Sequence, residues 1–107
     1  MTQVTQDTIN NWLVVAQAHV SAQYDKFIPQ PRHTSGPVLT AMFGKKYARI
    51  VSADADGHHR SAWGFIDMTN GDVLKCAGWK APAKNFARGN ISDDQNGLGR
   101  ASWTSVL

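Results

Sequence analysis

The hydrophobic period of this chain changes once, at a cluster of prolines. Before residue 28, apolar side chains recur at spacings of three and four: Ile9, Trp12, Leu13, Ala16, Val20, Tyr24 and Phe27. Such a stripe fits a helix of about 3.6 residues per turn. Asn10, Gln17, Ser21 and Asp25 fall between. The pattern predicts an amphipathic helix over about 5–27, its start capped by Asp7 or Thr5. Its polar face lacks the Lys/Arg richness of a membrane-surface helix, so the stripe is expected to pack on a core. Residues 28–37, IPQPRHTSGP, cannot continue a helix and read as an extended connector.

Beyond the prolines the pattern shortens to strands and turns. Val38–Phe43, Tyr47–Ala53, Ser61–Met68 and Val73–Trp79 are strand candidates. Gly44-Lys45-Lys46 separates the first two and the Asp- and Gly-bearing turn 53–60 the next two. Asn70-Gly71 is a strong hairpin signal, because both residues tolerate positive φ. Residues 38–80 therefore read as an antiparallel meander. A meander needs one face covered, and the N-terminal helix is the available cover. The expected class is α+β, with the helix packed on a small antiparallel sheet of three to five strands.

Pro82 suits the first position of a short helical turn over 82–88. The tail 90–107 is rich in Gly, Ser, Asp and Asn, and ends with Trp103 and Val106-Leu107 as a last strand or a segment docked on the core. A length of 107 residues fits one domain, 1–107, with a core of modest size.

Composition narrows the function. All eight acids are Asp, a turn and cap residue, and the absence of Glu removes a common general acid. Cys76 is the single cysteine, which forbids an internal disulfide and points to a cytoplasmic protein. The N-terminus has neither the basic nor the apolar region of a signal peptide, and no apolar run reaches the roughly 20 residues of a membrane span. The formal charge of +3 favours polyanions only where the cations cluster.

They cluster in GDVLKCAGWKAPAKNFARGN, residues 71–90, where no acid follows Asp72 until Asp93. Alternation along 73–79 groups Val73, Lys75, Ala77 and Trp79 on one face and Leu74, Cys76 and Gly78 on the other. The second set is small and apolar, so it is expected to face the helix, leaving Lys75 and Trp79 on the open face. Either Trp63 and Phe65, or Ala62, Gly64 and Ile66, join that face across the hairpin. In a helical turn over 82–88, Lys84 and Arg88 lie together at i, i+4. Lys45, Lys46 and Arg49 extend the patch. Cations interleaved with aromatics resemble a nucleic-acid stacking platform, so the expected interface is Lys75, Trp79, Lys80, Lys84, Arg88, Lys45, Lys46 and Arg49.

Other constellations carry less. Asp54, Asp56, His58 and His59 hold metal-ligand types in one turn, but the spacing matches no established site and reads as a polar hairpin loop. The run 93–97 lacks the closing Glu of a calcium loop. Cys76 sits mid-strand among small apolar residues, His19 lies beside the helical stripe, and Gly97-Leu98-Gly99 is too short for a phosphate loop. No metal, cofactor or catalytic residue is expected.

The stretch also resembles a group of small proteins encoded by tailed phages. Their shared core falls here on Gly71, Asp72, Val73, Leu74, Lys75, Trp79, Lys80, Pro82, Ala83, Lys84, Arg88, Gly89 and Asn90, and YARIVSADADGHHRSAWGFID upstream is similar in kind. The resemblance spans about 47–91 and carries no established activity, so no catalytic residue transfers. It implies a phage product in the host cytoplasm. The expected function is a non-enzymatic domain that binds nucleic acid; the alternative is a modulator or inhibitor of a host protein. An edge strand, Val38–Phe43 or 101–107, offers a route to a homodimer.

Overall fold

A computed structural model of the chain describes residues 4–27, 36–54, 57–83, 87–102 and 104–106. It has one helix, α1 (Gln6–Phe27), and five strands: β1 (Val38–Phe43), β2 (Tyr47–Ala53), β3 (Ser61–Asp67), β4 (Asp72–Leu74) and β5 (Gly89–Asn90). The strands form one antiparallel sheet in the order β1-β2-β3-β4-β5. This is the α+β meander expected from the change of period.

Thr5, not Asp7, caps α1. Its Oγ1 accepts the Thr8 N–H at 3.2 Å and Thr8 Oγ1 accepts the Thr5 N–H at 3.2 Å, a reciprocal capping box with Thr in the usual Glu position. Val4 and Ile9 flank the cap and both enter the core. Asp7 in the first turn and Lys26 in the last complement the helix dipole. Ile9, Trp12, Ala16, Val20 and Tyr24 are buried, as the stripe requires.

The helix also guards a sheet edge. Gln17 Oε1 accepts the Leu39 N–H at 2.7 Å, and Gln17 Nε2 donates to the Pro37 carbonyl at 2.9 Å. One side-chain amide thus supplies the two bonds of an adjacent strand to the start of β1.

Pairing sets two rows across the sheet. Phe43, Ala48, Ile66 and Val73 are in register on the side of α1. Met42, Arg49, Phe65 and Leu74 form the next row, on the opposite side. The faces expected for Val73 and Leu74 are therefore exchanged: Val73 is 0% exposed in the core, and Leu74 faces away from α1. Register to β3 decides this, because Ile66 carries Val73 inward with it.

Between Ile50 and Val51 the partners on β3 jump from Gly64 to Ala62, which leaves Trp63 unpaired in a β-bulge. The extra residue breaks the parity that made Trp63 and Phe65 share a face. Trp63 turns into the core, 6.3 Å from Trp12 between ring centroids, while Phe65 stays on the outer row.

Asn70-Gly71 does lie in the β3–β4 hairpin, as the end of a longer loop rather than as a two-residue turn. Gly71 N–H bonds the Asp67 carbonyl at 2.7 Å, Asn70 Oδ1 accepts the Asp72 N–H at 2.9 Å, and only Gly71 has positive φ.

The tail docks on the core. Leu98, Ala101 and Val106 are buried, and Val106 N–H bonds the Trp63 carbonyl at 2.9 Å. Trp12 Nε1 donates to the Asn96 carbonyl at 2.7 Å and Trp63 Nε1 to the Ser102 carbonyl at 2.9 Å. His19 Nε2 lies 3.0 Å from the Ala101 carbonyl, which gives that histidine a packing role.

Candidate nucleic-acid interface

The sheet face away from α1 carries the outer row of Met42, Arg49, Phe65 and Leu74. The segment after β4 completes this face. The chain does not continue as a strand to Trp79. It makes a small hairpin in which Ala77 N–H bonds the Ala81 carbonyl at 3.0 Å and Ala83 N–H bonds the Lys75 carbonyl at 2.7 Å. These bonds flank a bridge between Cys76 and Pro82. Pro82 sits where the ladder asks for no N–H, which corrects its reading as the start of a helical turn. The tip, Gly78-Trp79-Lys80, brings Trp79 and Lys80 to Arg49.

Arg49 lies over the Trp79 ring, with 4.8 Å from Cζ to the centroid, and 5.9 Å from that of Phe65. Arg60, just ahead of β3, lies 5.7 Å from the Trp79 centroid. Both guanidiniums reach the Met42 sulfur, Arg60 Nη2 at 3.4 Å and Arg49 Nη1 at 3.8 Å. A thioether is a weak acceptor and neutralises no charge. Arg49 Nε is buried with no hydrogen-bond partner.

Beside this pair opens a cleft of about 280 Å³ at the β1–β2 turn. Lys45, Lys46, Arg49 and Lys80 line it with Tyr47 and Phe65, and none of its lining residues is acidic. Phe65 is its floor, at 2% exposure; Tyr47 meets Phe65 edge-on at 6.3 Å and carries Lys46 Nζ 5.4 Å from its ring centre. Among the described residues no carboxylate pairs with Lys45, Lys46, Arg49, Arg60 or Lys80.

The structure thus brings together Lys45, Lys46, Arg49, Trp79 and Lys80 of the expected interface. Lys75 is exposed at the end of β4, and Arg88 leads into β5 through its N–H bond to the Val73 carbonyl at 2.7 Å. Neither lines the cleft. Lys84 lies outside the described residues, as do Asn85 and Phe86, so its pairing with Arg88 does too. Three members escaped the sequence reading: Met42, Tyr47 and Arg60. Phe65 is one of the alternatives for this face, but grouped there with Trp63, which turns into the core instead. Alternation in Tyr47-Ala48-Arg49 does put Tyr47 beside Arg49, but nothing local ties Arg60 to Trp79.

Nearby titratable groups have other roles. Burial pushes the Cys76 thiol up to about 11, against a smaller opposing pull from Arg49, so it is a protonated thiol at neutral pH. The Asp93 carboxylate accepts the N–H groups of Gly97 at 2.7 Å, Asn90 at 3.0 Å and Gln95 at 2.9 Å, which holds it below the usual carboxylate range. It organises the turn that launches the tail. His59 Nδ1 contacts Asp54 Oδ2 at 2.6 Å in the β2–β3 turn; Asp56 lies outside the described residues. Among the described residues no three His, Cys, Asp or Glu side chains converge as a metal site, and no helix is long and apolar enough to cross a membrane.

Fold and face together define a small α+β protein with a helix-covered core and a cationic, aromatic outer sheet surface. The chain belongs to the family of unknown function DUF7717, which it matches over residues 2–106. No curated protein and no solved structure matches it.

Proposed function

We propose that this protein is a non-enzymatic nucleic-acid binder whose contact surface is the outer face of the sheet. The observation that carries the reading is the convergence of Arg49 and Arg60 on Met42 and Trp79, with no carboxylate among the described residues in ion-pair contact with either. Two like charges held together without a counterion favour an anion between or beside them. Lys45, Lys46 and Lys80 add further positive charge along the same cleft. Phosphates neutralised there would release condensed counterions, and Trp79, 39% exposed and backed by Arg49, would offer a ring face to a base. The resemblance to tailed-phage proteins fits a product that acts in a host cytoplasm.

Fluorescence anisotropy with labelled oligonucleotides over a salt series tests this. The logarithm of affinity should fall linearly with that of salt, with a slope of about −3 to −4 for four or five phosphate contacts. Replacing Lys45, Lys46 or Lys80 by Ala should reduce the slope by about one each. Absence of binding at low salt, or binding without a salt slope, overturns the proposal. A single stoichiometric protein captured from host lysate, with no oligonucleotide binding, would replace it with the modulator reading.

A further inference from the structure

We infer that the outer face selects single-stranded over double-stranded nucleic acid, seating one phosphate in the β1–β2 cleft and a neighbouring base on Trp79, over a footprint on the order of four nucleotides. This rests on the nucleic-acid reading of the face and narrows it.

Three observations lead there. The first is what the face lacks. The one described helix, α1, covers the opposite side of the sheet, so among the described residues no helix is presented here to enter a major groove. The second is the recess. A volume of about 280 Å³, floored by Phe65 and walled by Tyr47, suits a phosphate with its sugar better than the convex backbone of a duplex. A duplex keeps its base faces stacked and hidden, so the Trp79 ring meets a base only when that base is unstacked. The third is the state of Arg49. Its guanidinium has rings and a thioether as neighbours, and its Nε has no acceptor. A phosphate oxygen is a far stronger acceptor than the Met42 sulfur, and the 3.8 Å contact it would displace is weak.

The footprint comes from the spacing of the cations. Lys45, Lys46 and Lys80 line the cleft at the β1–β2 turn, and the Arg49 and Arg60 guanidiniums share the Trp79 ring and the Met42 sulfur beside it, so those two act as one station. A single strand would pass the cleft and then this pair with Trp79, a short path that a few nucleotides span, on the order of four.

The test is anisotropy at one low salt concentration with fluorescein-labelled oligothymidylates of increasing length and a mixed-sequence duplex of matched length. Affinity should rise steeply up to about four nucleotides and then only statistically, with the duplex at least roughly tenfold weaker. Trp79→Ala should weaken single-strand binding roughly tenfold or more while leaving duplex binding little changed. Circular dichroism checks that this variant folds, and Lys80→Ala, a change at an exposed position, gives a second reading of the cleft. A duplex that binds as tightly as the single strand overturns the inference and leaves the broader reading standing. So does an affinity that keeps climbing steeply past about eight nucleotides, or a Trp79→Ala variant that binds as the parent does. Failure of every oligonucleotide to bind overturns both.

Discussion

Arg49 and Arg60 converge on one indole and one thioether: their guanidinium carbons lie 4.8 and 5.7 Å from the Trp79 ring centre, and both reach the Met42 sulfur. Each cation–π contact is worth about 0.5–1 kcal/mol at an exposed site, and repulsion between the two neighbouring cations takes back a similar amount. The arrangement is close to neutral for stability and favourable for an anion. Removing Arg60 should therefore separate the two. Arg60→Ala is expected to change unfolding free energy by less than about 0.5 kcal/mol and to weaken oligonucleotide binding several-fold. Urea unfolding and anisotropy on the same variant check this; a loss of stability above about 1 kcal/mol would show that Arg60 is chiefly structural.

The two buried indoles tie the tail to the core. Trp12→Phe and Trp63→Phe each remove one N–H donor and should cost about 1 kcal/mol, plus a smaller packing loss. Both hold the same segment, so the double variant should depart from additivity. Trp63→Ala should cost about 3–5 kcal/mol, because a fully buried ring leaves a cavity. Denaturant midpoints measure all four.

Gln17→Leu should destabilise the fold by about 1–3 kcal/mol, since it strands the Leu39 N–H and the Pro37 carbonyl. It should also leave the start of β1 open to pairing with another chain. Sedimentation velocity should show more self-association in the variant than in the parent; an unchanged monomer fraction would show that the edge is protected by other means.

Asp93 makes stability depend on acid pH. Its folded pKa lies below its unfolded value, so its contribution is present above about pH 4, the unfolded value, and fades as pH falls toward the folded one. Asp93→Ala should be clearly destabilised at pH 7, and the gap to the parent should shrink at pH 3 and below. Urea midpoints at the two pH values give the comparison. An equal gap at both would remove the carboxylate charge from the explanation.

Much of the fold was legible from local pattern. The stripe from Ile9 to Tyr24 required a helix with one buried face, and the bounds of β1 and β2 come from alternation and the glycine and lysines between them. β3 ends one residue before the expected Met68. The helix start was legible to within two residues, and the side-chain bonds of Thr5 and Thr8 settled it.

The faces were not legible, because side-chain parity belongs to a pair of strands rather than to one. Val73 and Leu74 exchange sides once Ile66 sets the register, and one bulge residue sends Trp63 inward while Phe65 stays out. Local pattern alone dictated that a helix would cover a meander, and composition that the chain would carry unbalanced positive charge. Which cations meet was settled by the pairing of the strands. A compact hairpin around Cys76 and Pro82 carries Trp79 and Lys80 to Arg49, and a register eleven residues removed brings Arg60 to the same ring. Charge in a sequence is a sum; an interface depends on distances, and those exist only once the strands have paired.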